Sequence, residues 1–451
     1  MSVRFDYTRK QLETMAQLAL DNAKSVGASA AAVEVSESNG LSVSTRNCEV
    51  ETVEHNRDKS LGITVYMGKR RGHSSTSDFS DEAIASAVHA AFDIAKYTAK
   101  DDFAGLPAKK YLVGKTAAKQ DLDLFHPWDV STADAIALAQ RAERAAFAES
   151  KYIKNTEGAS VNTSQGHFVA AATNGFMGGF AYSRHSMGAM PIAQKGRNME
   201  RDAWFSSNRV PEQLASPERI GAYAAARAAS RLGAKKISSR TCPVLFDAPL
   251  ACGLLGNLAQ AISGGALYRK TSFLLDALDK KIFPKHITVV DDPFLPQGMG
   301  SSMFDDEGVA TERRTLIEEG VLKGYLLSMY TARKLNMAPT GNASGSHNLR
   351  LSSSKTRAKD DLGGMLAKMG TGLFVTELLG SGVNYVTGDY SRGVCGFWVE
   401  NGVIAYPVQE ITIAGNLKDM FKGMVAVGAD ELVRGTKQTG SILIENMTIA
   451  G

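Results

Sequence analysis

Residues 370–415 read GTGLFVTELLGSGVNYVTGDYSRGVCGFWVENGVIAYPVQEITIAG. Three β-rich runs stand out in this stretch: Leu373–Leu379, Gly396–Glu400 and Val403–Ile413. Asn401-Gly402, between the last two, can take the positive φ angles of a tight hairpin turn. Gly388-Asp389-Tyr390-Ser391-Arg392-Gly393 separates the first two, with polar side chains bracketed by glycines. Glycine there permits unusual backbone angles and close approach of another backbone. Taken on its residues alone, the stretch is a sheet with a glycine-rich loop.

Working outward, Leu362–Met369 reads as a short helix, Pro249–Ile262 as a Leu- and Ala-rich one, and Pro243–Phe246 as a strand. The N-terminal half has a different rhythm. Thr8 and Gln11 form a capping-box start, and Leu12, Met15, Ala19, Ala23 and Val26 recur at helical spacing until Gly27. Strand-like runs follow at Ala31–Glu37, Leu41–Arg46, Val50–His55 and Leu61–Met67, with Asn39-Gly40 expected as a hairpin turn. A helix after Ser80 carries Ile84, Ala87, Val88, Ala91 and Ile94 on one stripe. The plan then repeats: a helix capped by Ser131 and Asp134, more strands, and a helix from Ser216-Pro217 to Gly233. The expected fold class is therefore α+β. Residues 1–235 form an N-terminal region of two helix–strands–helix halves (about 1–115 and 116–235), consistent with a duplication. Residues 236–451 form a C-terminal β-rich mixed domain.

Composition limits the function classes. The chain has 451 residues, 44% hydrophobic and 22% charged, with 51 basic against 47 acidic groups. This near-balance gives no electrostatic footprint for nucleic acid, and Lys69-Arg70-Arg71 fits a solvated hairpin end. No run approaches the ~20 apolar residues that cross a bilayer. The start, Met1 to Asp6, contains no apolar signal core. Cys48, Cys242, Cys252 and Cys395 are scattered without CxxC spacing, the pattern of reduced thiols in a cytoplasmic protein.

Familiar catalytic signatures are missing. Gly62 to Lys69 departs from a phosphate loop in spacing and in having Arg70 where Ser or Thr should bind magnesium. There is no Gly-x-Ser-x-Gly elbow and no His-Glu-x-x-His pair among the eight histidines. His185 and His347 are the polar candidates, better read as hydrogen-bonded structural histidines. Asp291-Asp292 and Asp305-Asp306 are adjacent, so in extended chain they would face opposite ways.

Several longer motifs do carry information. Phe304-Asp-Asp-Glu-Gly-Val-Ala-Thr-Glu-Arg-Arg314, Tyr330-Thr-Ala-Arg-Lys-Leu335, Met369-Gly-Thr-Gly-Leu373, Gly388–Gly393, Gly396–Gly402 and Tyr406–Met420 resemble the TldD/PmbA family (peptidase family U62), in its PmbA/TldE branch. Similar matches at Gly62–Tyr66 and Asp121–Pro127 extend the resemblance over nearly the whole chain.

The resemblance implies a cytoplasmic metalloprotease complex of two related subunits. It degrades unfolded peptides and processes precursors, including a microcin and an antitoxin. The TldD-type subunit carries a His-Glu-x-x-x-His helix and a late cysteine. Two imidazoles and a thiolate leave zinc an open position for water, which the glutamate could deprotonate. In this chain the helix falls on Gly256-Asn-Leu-Ala-Gln-Ala261, with Gly256 and Ala261 in place of the histidines and Asn257 in place of the glutamate. The cysteine region falls near Lys437 to Ser441, where no cysteine stands.

The expectation is thus a non-catalytic subunit with no catalytic residue, no metal ligand and no cofactor of its own. Zinc is expected in a TldD-type partner, unfolded peptides are the substrates, and neither nucleic acid nor membrane is a partner. Asp389, Tyr390, Ser391 and Arg392 are the candidate substrate or partner cleft. The alternative is a stand-alone homodimeric peptide-binding or modulator protein, the class to which the family's older label, modulator of DNA gyrase, belongs.

Overall fold

In Ala31–Val35, Leu41–Val43 and Leu61–Val65 every second residue is apolar, the period of a sheet with one covered face. A computed structural model describes residues 5–451, so the signal-free start read from Met1 to Arg4 lies outside the described residues. The chain divides into two units: 1–229 with 296–311 and 328–344, and 230–295 with 312–327 and 345–451. Segments 296–311 and 328–344, which a linear boundary near 235 assigns to the second region, fold with the first. The architecture is α+β.

In the first unit the order is α1 (Arg9–Ser25), β1 (Ala30–Arg46), β2 (Glu49–Met67), β3 (Arg70–Thr76), α2 (Asp81–Tyr97), α3 (Thr132–Glu149) and β4 (Ile153–Ala172). Next come β5 (Met177–Gly178), β6 (Ala181–Lys195), β7 (Asn198–Arg201), β8 (Trp204–Asn208) and α4 (Pro217–Ser230). All eight strands join one sheet in the order β3-β2-β1-β4-β6-β7, with β5 on β4 and β8 on β6. The two sequence halves therefore share a single sheet, joined where β1 lies antiparallel to β4 from Ala32↔Ala172 to Thr45↔Ala159.

One face of this sheet is apolar. Val33, Val35, Leu61, Ile63 and Val65 pack with Leu12, Ala16 and Ala19 of α1 and Ile84 and Val88 of α2. Farther along, Leu41, Val43 and Val161 pack with Ala135, Ala139 and Ala142 of α3 and Ile220 of α4. Alternation sends the intervening residues to the other face. There Ser36, Ser38, Gly40 and Ser42 lie between Ser60, Asp58, Asn56 and Glu54 of β2 and Phe168, Gly166, Ser164 and Asn162 of β4. The helix starts match the sequence reading: Thr8 and Gln11 form the capping box of α1, and Ser80 and Ser131 cap α2 and α3.

The turn expected at Asn39-Gly40 is absent. β1 runs straight through it and β2 continues from Glu49 to Met67, where two strands were expected on each side of a gap. Pairing on both flanks satisfies this backbone, so a turn would break two ladders at once. Gly40 serves close approach instead, since a Cβ there would sit 2.7 Å from the Thr163 carbonyl oxygen. The hairpin actually turns at Asn47-Cys48, both with positive φ (54° and 61°). Buried Glu143 of α3 holds that turn. Its carboxylate accepts from the Thr45 hydroxyl at 2.6 Å, the Asn47 N–H at 3.0 Å and the Cys48 N–H at 2.9 Å.

The second unit contains β9 (Arg240–Phe246), α5 (Ala248–Ala261), α6 (Gly264–Tyr268), β10 (Ile287–Asp292), β11 (Arg314–Glu318) and β12 (Val321–Leu322). After α7 (Met329–Lys334), which belongs to the first unit, come β13 (Asn348–Ser353), α8 (Leu362–Met369), β14 (Gly372–Leu379), β15 (Asp389–Glu400) and β16 (Val403–Asn416). The chain ends with α9 (Leu417–Lys422), β17 (Met424–Val427), β18 (Leu432–Arg434), β19 (Lys437–Thr439) and β20 (Ile442–Ala450). One sheet runs β12-β11-β10-β13-β19-β18 and another β16-β15-β14-β9-β20-β17, and a further β16–β20 pairing closes the second into a barrel. Met365, Leu366 and Met369 of α8 pack on Leu245, Phe374, Phe397 and Leu443 of its wall. Asn401-Gly402 makes the expected hairpin, with φ of 52° and 80°.

Replacing Glu143 with alanine strands three donors that it now satisfies. We expect a loss of about 3 kcal/mol, read as a lower denaturant midpoint with an unchanged slope.

Candidate functional site

The helix singled out by its missing ligands, α5, is held as a packing element. Ala251, Leu254, Leu255, Leu258 and Ala261 are buried, while Gly256 and Asn257 are half-buried on another face. Two later segments reach that face. The Tyr385 hydroxyl donates to Asn257 Oδ1 at 2.9 Å. A Cβ on Gly256 would stand 3.5 Å from Lys437 Cε. One turn earlier the Cys252 thiol lies 3.8 Å from the Leu432 carbonyl oxygen and 3.7 Å from that of Lys437. Burial pushes that thiol's pKa up, away from a reactive thiolate. The Lys437–Ser441 segment, placed by sequence opposite the helix, thus begins against it.

The other predicted element lies partly inside the sheet. Residues Asp389–Val394 pair with Ile411–Asn416, so the four residues bracketed by Gly388 and Gly393 form the start of β15 rather than a loop. The loop precedes them, over 380–388. Gly382 allows it to cross the strand, where a Cβ would meet the Ser391 carbonyl oxygen at 1.7 Å. Asp389 is exposed yet engaged: the Thr387 hydroxyl donates to it at 2.6 Å and the Asn416 amide at 3.1 Å. These bonds, the hydroxyl first, hold its carboxyl below the usual range. Tyr390 is buried and its hydroxyl has no partner among the described residues; burial pushes its pKa up to about 12. Ser391 is exposed, and the half-buried Arg392 donates from Nε to the Leu379 carbonyl at 3.3 Å. Because Tyr385 lies in the 380–388 loop, its bond to Asn257 ties that loop to α5. The two predicted places are neighbours through a residue that sequence reasoning did not single out.

The two candidate histidines differ: the His185 ring is hydrogen-bonded within the fold, whereas the buried His347 Nε2 has no partner among the described residues. His185 is fully buried, 2.8 Å from the Thr163 hydroxyl and 2.8 Å from the His126 carbonyl oxygen. His347, in the other unit, is buried with Nδ1 4.0 Å from Asp291. One large acid–base perturbation lies where the sequence did not flag it. At one end of the polar sheet face a cavity of about 390 Å³ is lined by Glu34, Tyr66, His73, Leu106, Asp306 and Glu307 among others. Burial, helped by Asp305 and Asp306, pushes the Glu307 carboxyl up to about 7, although the Met329 N–H and Arg333 oppose the shift. Asp305 is buried and accepts from the Glu307, Val309 and Ala343 N–H groups. The motif beginning at Phe304 thus owes part of its acidity pattern to backbone bracing.

The chain is similar to known proteins over nearly its whole length. The PmbA/TldA metallopeptidase C-terminal domain matches residues 239–451, the central domain residues 125–232 and domain 1 residues 31–95. The chain belongs to the PmbA/TldD family. It is 48% identical to Metalloprotease PmbA of Escherichia coli O157:H7 over 445 residues, 98% of this chain and 97% of that protein. A PmbA homolog from Haemophilus influenzae is 44% identical over 442 residues, 98% of this chain and 96% of that one. Among solved structures, a Bacteroides thetaiotaomicron protein labelled a DNA gyrase modulator superposes with a TM-score of 0.92 at 28% identity, covering 98% of this chain and 99% of that one. TldE from Thermococcus kodakarensis gives 0.82 at 21% identity, covering 97% and 99%, a likeness of fold alone.

The zinc that the PmbA/TldD resemblance implies does not fit α5 of this chain. Gly256 and Ala261 carry no donor atom, the Asn257 amide already accepts from Tyr385, and the Lys437 side chain lies over Gly256. Zinc needs thiolate, imidazole or carboxylate, and none is offered at these positions.

Two outcomes follow. Tyr385→Phe removes one neutral hydrogen bond, worth about 1 kcal/mol, and amide exchange should quicken in 380–388 while the barrel strands keep their protection. Glu307 holds a proton in the folded state up to about 7, against 4.5 for the ordinary group. Its contribution is therefore most favourable below pH ~4.5 and is lost as pH rises toward ~7, by roughly 3 kcal/mol. Glu307→Gln should flatten that part of the stability–pH curve.

Proposed function

We propose that this chain is the non-catalytic subunit of a cytoplasmic, heteromeric TldD/TldE-type zinc metalloprotease that degrades or processes unfolded peptides. One observation carries the reading. The helix that the resemblance aligns with His-Glu-x-x-x-His bears Gly256, Asn257 and Ala261, and Tyr385 and Lys437 already occupy its exposed side. Losing every ligand together, with other side chains settled in their place, is what a subunit relieved of chemistry would accumulate. Among the described residues no helix is long and apolar enough to cross a membrane. By resemblance the zinc belongs to a TldD-type partner, and microcin precursors and antitoxins are the model substrates.

Such a subunit would hold substrate. Unfolded peptides are bound without regard to sequence when their backbone adds to a sheet edge. The polar face of the eight-stranded sheet, where serines and glycines lie beside Glu34, Glu54, Asp58 and Phe168, can meet side chains of several kinds. Asp389, Ser391 and Arg392 are the residues we assign to the peptide or to the partner's active site.

The test is hydrolysis of an unfolded peptide by this chain, by a histidine-bearing relative and by their mixture. We expect cleavage in the mixture only. Chelator-sensitive cleavage by this chain alone would overturn the reading. Cleavage by the relative alone, undiminished without this chain, would favour the stand-alone modulator. Asp389→Ala, Ser391→Ala and Arg392→Ala combined should lower the mixture's rate at least about tenfold, a loss of ~1.4 kcal/mol in transition-state binding. Unchanged cleavage and pairing would remove these residues from the site.

A further inference from the structure

The cavity beside Glu307 is made by small residues of the sheet. On the polar face Glu34 of β1 lies between Gly62 of β2 and Ala170 of β4, and Ala32 lies between Thr64 and Ala172. With so little side chain around Glu34 the face is hollow there, and a space of about 390 Å³ opens over it. The His73 ring of β3 reaches Gly62, where a Cβ would stand 3.4 Å from its Cε1, and its Nδ1 meets the Thr64 hydroxyl at 3.1 Å. Every residue lining the cavity belongs to the first unit.

The rim is fixed. Arg333 donates to the carbonyl oxygens of Phe103, Gly105 and Leu106 at 2.9, 2.8 and 2.6 Å, and the Asn174 amide donates to that of Pro107 at 3.1 Å. Leu106, Pro107 and Phe176 give the cavity an apolar side. Glu34, Asp306 and Glu307 give it an acidic one, and no lysine or arginine lines it. Asp306 bonds with the Ser344 side chain, and Glu307 accepts from the Met329 N–H at 2.6 Å. Glu34 makes no hydrogen bond or ion pair among the described residues. Arg333, the one cation that tempers Glu307, is engaged by the three carbonyls. Desolvation raises the pKa of all three carboxyls, and Asp306 adds to the shift of Glu34 and Glu307. Among the described residues no three His, Cys, Asp or Glu side chains are grouped to hold a metal ion. The charge and shape call instead for an organic cation with an apolar stem, which would favour the ionised carboxylates.

We propose that this cavity binds the ammonium group of an unfolded peptide, carried by a lysine side chain or by the peptide's N-terminal residue. The ammonium sits among Glu34, Asp306 and Glu307, and the carbons next to it lie against Leu106, Pro107 and Phe176. An apolar wall facing a few polar groups is the usual make-up of a small-ligand pocket. That the ligand is a peptide rests on the subunit reading; that it is an ammonium rests on the cavity alone. Glu307 supplies a signature, with Glu34, Tyr66, His73, Asp305, Asp306 and Arg333 as the titratable and charged groups about it. It holds its proton up to about 7, and an incoming positive charge lowers that value. Binding below pH ~7 therefore expels up to one proton, and affinity rises as pH climbs from ~5 to ~7.

Isothermal titration of the full chain with three pentapeptide amides tests the site. One is Ala-Leu-Ala-Ser-Ala with a free amino terminus, one is acetyl-Ala-Lys-Ala-Ser-Ala, and the uncharged control is acetyl-Ala-Leu-Ala-Ser-Ala. At pH ~7 at least one ammonium-bearing peptide should bind at least about tenfold more tightly than the control. At pH ~6 its binding heat should change with the ionisation enthalpy of the buffer in the sense of proton release. A preference that fades above pH ~8 marks the amino terminus, and one kept to pH ~10 marks lysine. Glu34→Gln with Asp306→Asn should bring that peptide down to the control, and Glu307→Gln should abolish the proton release. Equal binding of all three peptides, binding without proton release, or variants that behave like the wild type would each overturn the inference. The peptide comparison and the proton count use the unaltered protein, so they decide even if a variant folds poorly. Cleavage by the subunit mixture without any ammonium preference removes this site and leaves the subunit reading standing; an ammonium preference without cleavage by any mixture does the reverse.

Discussion

The antiparallel seam between β1 and β4 is the constraint on which the first unit depends. It joins two helix–strands–helix halves into one sheet, and it does so through small residues: Gly40 faces Ser164, Ser42 faces Asn162 and Ser38 faces Gly166. Pleated strands of this length require an apolar face to cover, and four helices supply it from the same side. The opposite side is consequently left with serine, asparagine and glycine, with Glu34, Glu54, Asp58 and Phe168 among them. Covering one face with helices and lining the other with mostly polar groups are thus one arrangement seen from its two sides.

Much of this was legible in the chain. Helix starts were read correctly because Thr8, Ser80 and Ser131 act through bonds made within three residues. Asn401-Gly402 was read correctly because its strands lie on either side of it in sequence. Asn39-Gly40 carries the same dipeptide and was misread, because its conformation is dictated by β4, whose residues lie far along the chain. Gly388 to Gly393 was misread for the same reason: pairing with Ile411–Asn416 extends the strand through glycines that locally suggest a loop. Local chemistry announces itself; partners brought by topology do not.

The candidate site follows the same rule. The degenerate positions Gly256, Asn257 and Ala261 could be named only through resemblance, and the structure adds what covers them. Tyr385 and Lys437 are unremarkable in sequence, yet one bonds the amide that replaces a glutamate and the other lies across the glycine that replaces a histidine. Tyr390 looked like part of a polar loop, but strand alternation turns it into the core while Ser391 faces out. Glu307 could not be found by pattern, because its acidity depends on burial and on Asp305 and Asp306 beside it.

The same seam has a consequence during synthesis. Ala32 must wait for Ala172, and Thr45 for Ala159, before the second edge of β1 is paired. At ~5–20 residues per second the first long hairpin stands on the ribosome for on the order of 10 seconds with the outer edge of β1 bare and that of β2 covered only over Leu61–Met67. Contacts this distant also make folding slow once the chain is released. A nascent chain in this condition is most exposed to chance pairing with its neighbours on the same messenger.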